Sequence, residues 1–250
     1  MTDKVQIIVL AGGKGSRMNT DVPKVLVPLK GKPLIKHLLD ALAKSGLFPV
    51  PIIVVGQKRE LVIRELGPTY RYAIQTEQLG TGHAVYSARE LIENQAEHVI
   101  VLYGDHPCVS AETVKNLAEA HIQSDGILTI ATANVLNFEG WRAGFYDFGR
   151  IVRNEFGQIV KIAEKKDATE IEKQITEVNP AYFCFKASWL WQYLPAIQNQ
   201  NAQGEYYLTD LISLAQNQGH TINSVSIRPH EALGVNTAEQ LAMLEQGLVF

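Results

Sequence analysis

Short apolar runs alternate with longer segments of helical period through the first half of the chain. Gln6–Leu10, Ile52–Val55, Tyr72–Gln75, Val99–Tyr103 and Leu128–Thr132 read as strands, apolar enough to be buried on both faces. Between them Pro33–Lys44 sets Leu34, Leu38, Leu39 and Leu42 at helical spacing, and Thr81–Leu91 and Ala111–Ile122 repeat the pattern. Ser110 stands where a helix N-cap belongs. The pattern changes near residue 135. Gly149–Val152 and Gln158–Ile162 flank Asn154–Gly157 and predict a hairpin, followed by a strand at Ala181–Phe185. Helices are predicted at Ser188–Leu194, Tyr207–Gln216 and Ala238–Leu248, with a strand at Asn223–Ile227. Strand–helix alternation of this kind predicts an α/β fold: a mostly parallel sheet with helices on both faces, and a ligand crevice beyond the carboxyl ends of its strands. No repeat or low-complexity linker divides the 250 residues, so a single domain is expected.

Composition narrows the function classes. Hydrophobic residues make up 46% and charged residues 20%, as in ordinary globular chains, and the formal net charge is only -3. No basic excess marks a nucleic-acid surface, and no apolar run reaches the ~18 residues that span a bilayer. Neither partner is expected. Cys108 and Cys184 match no disulfide framework or zinc spacing, and MTDKVQIIVL lacks the cleavage pattern of a signal peptide, so a cytoplasmic location is expected.

The stretch LAGGKGSRMNTDVPK, Leu10 to Lys24, follows the first strand directly. A glycine loop between a first strand and a first helix presents backbone N–H groups to an anion. Two common versions fail. The dinucleotide fingerprint would need glycine at Met18, and a Walker loop from Gly12 would need the Gly-Lys of its Gly-Lys-Ser/Thr where Arg17-Met18 stand. Lys14, Arg17 and Lys24 frame the turn with three cations, which suits a polyphosphate better than a carboxylate.

Two further stretches carry chemistry. VIVLYGDHP places Asp105 at the carboxyl end of a buried strand, where a carboxylate beside a phosphate loop is a natural magnesium ligand. In QTEQLGTGHAV a strand ends at Gln75 and Gly80-Thr81-Gly82 opens a helix, an arrangement able to read a nucleobase edge. His83 is expected to be structural, and His106 is a secondary candidate for substrate contact.

Taken in order, LAGGKGSRM, PKVLVPLKGKPLI, QTEQLGTGHAV, LYGDHP, FGRIVR, AEKKDAT, EVN, GEYYLTD and GVNTAEQL resemble the sugar nucleotidyltransferases, and most closely the uridylyltransferase domain of the bacterial bifunctional N-acetylglucosamine-1-phosphate enzymes. The resemblance covers Leu10 to Leu241. It implies a Rossmann-like nucleotidyltransferase fold and a magnesium-dependent transfer of a uridylyl group from UTP to a hexose-1-phosphate. It implies nucleotide contacts from Leu10, Ala11, Gly12, Gly13, Lys14, Gly15, Gln75, Gly80 and Thr81, and catalytic phosphate contacts from Arg17 and Lys24. Asp105 and Asn236 would hold Mg2+. Tyr103, Gly104, Gly149, Glu164 and Asn179 would form the sugar side, so that residues 1–135 serve the nucleotide and 136–250 the sugar. An Asp105→Asn change is expected to impair turnover and leave folding intact.

Four departures from the family pattern bear on these expectations. No hexapeptide repeat occurs in these residues, so a left-handed β-helix acetyltransferase domain is not expected. Asn179 is followed by Pro180-Ala181 where the family has Thr-Gly. Asn137–Phe148 is longer than its counterpart and reads either as a lid or as an excursion burying its own aromatics. Gly12 replaces the usual alanine and is expected to change little. The alternatives left open are the same chemistry on another sugar or nucleotide, and a catalytically silent nucleotide-sugar-binding protein.

Overall fold

A computed structural model describes residues 4–13, 15, 18, 20–46, 49–93 and 95–247. Lys14 and Arg17 lie outside the described residues, as does Leu248 at the end of the last predicted helix.

The first half lays down β1 (Val5–Ala11), the two-residue strands β2 (Pro28–Leu29) and β3 (Lys32–Pro33), β4 (Ile52–Val55), β5 (Arg71–Ile74), β6 (His98–Tyr103) and β7 (Leu128–Asn134). The second adds β8 (Gly149–Arg153), β9 (Ile159–Ala163), β10 (Glu177–Asn179), β11 (Phe183–Lys186) and β12 (Asn223–Ile227). Apart from the β2–β3 ribbon, these form one sheet in the order β5-β4-β1-β6-β11-β7-β12, with the β8–β9 hairpin added alongside β10. β5, β4, β1 and β6 run parallel; β11 is antiparallel to both β6 and β7, which makes β7 and its parallel partner β12 point with β6. The sheet is therefore mixed, with the β10–β11 path and the β9 hairpin strand reversed.

The β10–β11 path is broken. β10 pairs with Ala133 and Asn134 of β7, β11 with Leu128–Ile130, and the kink between them spans Pro180–Tyr182. Ala181 there has φ +64, in the left-handed region.

Helices cover both faces because the strands are apolar on both. In β1, Ile7 and Val9 face one core and Ile8 and Leu10 the other, the period of two expected of a strand. The first core takes α1 (Leu34–Ser45), which ends at Gly46 in the left-handed conformation, and α2 (Arg59–Leu66). The second takes α3 (Thr81–Tyr86) and α4 (Arg89–Ile92). The long helix predicted over Thr81–Leu91 is split here, where Ser87 donates to the His83 carbonyl at 2.9 Å instead of leaving the helix regular. α5 (Ala111–Ser124) returns to the first core, and its Ser110 hydroxyl accepts from Thr113 N–H as the sequence predicted. α6 (Ala187–Tyr193) and α7 (Asp210–Asn217) cover the second face; α8 (Ala238–Glu245) packs by Leu244 on the first.

One strand departs from expectation. β5 is not buried on both faces: Arg71 and Ile74 are exposed, because it is the edge of the sheet. The Asn137–Phe148 segment holds a 3-10 helix over Gly140–Asp147 with Phe145 fully buried, so the excursion that buries its own aromatics is the form observed. No described helix is long and apolar enough to cross a membrane.

Candidate nucleotide and sugar-phosphate site

The carboxyl ends of β1, β4, β5 and β6 deliver Gly12, Gly56, Gln75 and Asp105 to one edge of the sheet. A cavity of about 460 Å³ opens there, lined by Leu10, Gly12, Gly13, Gln75, Gly80 and Thr81 from the predicted nucleotide set, and by Lys24, Asp105 and Asn236. Ala11 and Gly15 are not on its wall. Ala11 is buried in the core, and Gly15, at φ +61, lies against Lys24 so closely that a Cβ would come within 2.8 Å of Lys24 Cβ. Glycine here lets the loop close over the lysine stem.

Gln75 is held by its amide nitrogen, which donates to Gly80 O at 3.1 Å and lies 3.3 Å from His83 Nδ1. Its Oε1 is turned toward Gly12, where a Cβ would meet it at 2.9 Å and Gly56 N at 3.3 Å. An alanine at position 12 would ask the Gln75 amide end to swing aside and the Gly56 backbone to give by a few tenths of an ångström. Gln78, which the sequence reading passed over, donates from Nε2 to Gly12 O and ties the loop to the Gln75 segment. The QTEQLGTGHAV and GEYYLTD stretches are also physically joined. Gly82 N donates to Tyr206 O, Tyr206 N to Leu79 O, and Leu208 N to the Thr81 hydroxyl, all at 2.8–2.9 Å.

Charge concentrates at Lys24. Its ammonium pairs with Asp105 and donates to Asn236 Oδ1 at 2.8 Å, in surroundings that leave the Lys24 and Asp105 side chains 14% and 10% exposed. Burial alone would raise the Asp105 carboxyl. The Lys24 charge, then His106 and the hydrogen bonds it accepts, outweigh that and hold it below the usual carboxylate range. Asn236 is placed by the turn into α8, where Thr237 and Gln240 form a capping box and Gln240 Oε1 also accepts from Asn236 N at 2.6 Å. A carboxylate and an amide oxygen therefore already converge on one positive charge. Those are donors a magnesium ion would accept, with phosphate oxygens and water completing its shell. Among the described residues no cluster of three or more His, Cys, Asp or Glu side chains offers a rival site.

His106 is buried beside this cluster. Tyr182 donates its hydroxyl proton to Glu231 O at 2.8 Å, so it accepts from His106 Nδ1 at 2.8 Å. Burial lowers the His106 pKa against the opposing pull of Asp105.

A second, wider cavity of about 1000 Å³ adjoins the first, sharing Thr81, Tyr103, His106 and Glu205 with it. Four of the predicted sugar-side residues, Tyr103, Gly149, Glu164 and Asn179, stand on its wall. Gly104 does not; its Cα faces Val25 and Ile35 in the core. Glu164 accepts from the Thr209 hydroxyl at 3.0 Å. Burial, with Asp210 and Asp167 nearby, raises its pKa above the ordinary value despite that bond. Asn179 spends its Oδ1 on Ala181 N–H at 2.9 Å, leaving its NH2 as the donor toward the cavity. Lys165, Lys166 and Lys173, which no motif marked as site residues, also stand on this wall. Each cavity draws on both halves of the chain.

Comparison with known proteins fits this geometry. A family model described as the MobA-like NTP transferase domain matches residues 7–212. The chain belongs to that family. It is 38% identical over 97% of its length to the bifunctional protein GlmU of Brevibacillus brevis, and 42% identical over 95% to that of Heliobacterium modesticaldum. It spans about half the length of these relatives, 51% and 50% respectively. Among solved structures, UDP-glucose pyrophosphorylase complexed with UDP-glucose superposes with a TM-score of 0.76 at 18% identity, each chain covered to 97%. A CMP:2-keto-3-deoxy-manno-octonic acid synthetase complexed with CTP gives 0.70 at 17%, with 98% of each chain covered. At such identities these two show the nucleotidyltransferase fold alone.

Proposed function

We propose that this chain transfers a uridylyl group from UTP to a hexose-1-phosphate, with N-acetylglucosamine-1-phosphate as the leading acceptor, releasing pyrophosphate. The observation that carries the reading is the meeting of two cavities beside the Lys24–Asp105–Asn236 cluster. One cavity suits a nucleotide and the other a polyhydroxy ring, so their phosphates would meet at the cluster. The GlmU relatives support the choice of sugar.

Gln75 accounts for the base. With its amide nitrogen committed to Gly80, Oε1 remains as an acceptor. The N3–H of uracil can donate to it; cytosine has no proton there. On the acceptor side Glu164 would accept from ring hydroxyls and the Asn179 amide would donate.

No general base is needed, because a sugar phosphate is ionised near neutral pH. The site has to align two anions and offset the charge that develops. Bound magnesium, held by Asp105 and Asn236, would supply electrophilic charge to the phosphate oxygens. Lys24 would then exchange its bond to Asp105 for a phosphate oxygen. Arg17 and Lys14, from the same loop, are proposed to assist the departing pyrophosphate.

A pyrophosphate-release screen of four nucleoside triphosphates against a panel of sugar-1-phosphates, with magnesium, tests the proposal. UTP should lead. Equal rates for all four bases would sink the role of Gln75. Tight UDP-sugar binding with no turnover on any acceptor would favour a silent binding protein.

A further inference from the structure

Among the described residues Arg150 is the largest side chain buried to 0% exposure, and it is charged. It belongs to β8, directly after Gly149 of the sugar-side cavity. Its three nitrogens all go to main-chain carbonyls: Nη1 to Phe148, Nη2 to Tyr146 at 3.1 Å, and Nε to Lys173 at 3.4 Å. Its guanidinium also faces two rings, Phe138 at 4.7 Å and Tyr146 at 5.2 Å from their centroids. Tyr146, Phe148 and Lys173 all stand on the wall of the sugar-side cavity.

We infer that Arg150 is a positioning residue, which fixes the 137–148 excursion as a permanent wall of the sugar-side cavity rather than a lid. A planar fork of five donors can hold separated carbonyls at once; an ammonium concentrates its donors at a point. Each carbonyl is bonded by a fully buried charged donor, so moving the segment away would give up those bonds and leave the guanidinium without partners. Further contacts close the same structure. Phe145 packs edge to face on Phe148 with centroids 5.1 Å apart, Lys165 lies 4.7 Å from the Tyr146 ring centroid and pairs with Asp147, and Gly144 lies against Gln240 of α8. Arg150 thereby sets the cavity's shape without touching its contents.

The catalytic arm of the test rests on the proposed sugar-phosphate acceptor; the exchange arm does not. Arg150→Lys keeps the charge and most of the stem, and Arg150→Met removes the charge. Amide hydrogen exchange over 137–148 should speed up at least about tenfold in Arg150→Lys, with β1 and β6 unchanged. The KM for sugar-1-phosphate should rise about tenfold while nucleotide affinity, measured by titration with magnesium, stays within about twofold of wild type. Arg150→Met should exceed Arg150→Lys in both. Unchanged exchange in the excursion overturns the inference. So does an equal loss of nucleotide and sugar affinity, or failure of Arg150→Lys to fold, since either makes Arg150 a general structural residue. If wild type turns over no sugar phosphate, the proposed function fails and the exchange result still decides the role of Arg150.

Discussion

Lys24 and Asp105 hold each other in a largely buried pair, which alters what a change at either would do. Asp105→Asn keeps the shape of the side chain and removes the charge opposite Lys24. Turnover should fall about a hundredfold, with more magnesium needed to reach half-maximal rate. Folding should not be spared, contrary to the sequence-based expectation: a charge-assisted bond is lost in a desolvated place, at a cost of about 2 kcal/mol in urea melts. Wild-type magnesium dependence in that variant would remove Asp105 from the metal site. Ala181 is a second residue with a local consequence. Its φ of +64 puts a Cβ where glycine is at ease and alanine is strained by about 1 kcal/mol. Ala181→Gly should therefore raise stability by up to about that amount, less the extra freedom glycine gains in the unfolded chain. A loss of more than about 0.5 kcal/mol on thermal melting would show that the Cβ makes contacts outweighing the strain.

Among the elements, legibility followed burial. The central strands and α1 were plain in the sequence because burial leaves continuous apolar runs or a leucine stripe. α2, RELVIREL, was missed: only Val62 and Leu66 are buried, and charged residues hide the period. β10 was too short to show, and its pairing comes from β7 and β8. In the site, the glycine loop, Gln75 and Asp105 could be found from residue chemistry. Gln78 could not, because it acts as a clamp on backbone. Asn236 had no signal as a ligand, yet Thr237 and Gln240 spell a capping box that fixes the residue before it. Thr237→Ala should lower stability by about 1 kcal/mol and also raise the magnesium requirement, since the cap orients Asn236. A stability loss with metal dependence unchanged would confine the box to α8.

The whole molecule carries an acid sensitivity away from the site. His121 of α5 is fully buried, with Nδ1 3.0 Å from the Thr129 hydroxyl and Nε2 lacking a partner. Burial, with His98 and Lys186 nearby, pushes its pKa down to about 4, and burial also lowers that of His98, whose ring meets it edge to face at 5.1 Å. A depressed histidine pKa means that the unfolded chain takes up the proton first. Stability should be full above pH ~6.5 and fall as pH drops toward 4, by up to about 2 kcal/mol at pH 5 from His121 alone. Urea melts at pH 7.5 and 5 measure this, and His121→Phe should flatten the fall; an equal fall in that variant would place the effect elsewhere.

Long-range attraction is a different matter. Because Asp105 already neutralises Lys24, the pair adds little to the field that a distant polyanion meets on a chain of net charge -3. In the proposed reaction the lysine's charge would come into play only on contact, when its partner is taken up by a metal. Nucleotide association rates in the Lys24→Met/Asp105→Asn double variant, which removes the pair without changing net charge, should therefore show the same ionic-strength slope as wild type even where turnover collapses. A flatter slope in stopped-flow measurements would show that Lys24 guides encounter as well. Under the proposed reaction, the charge offered to the transition state is thus kept silent during approach, and any selectivity it confers is exercised after collision.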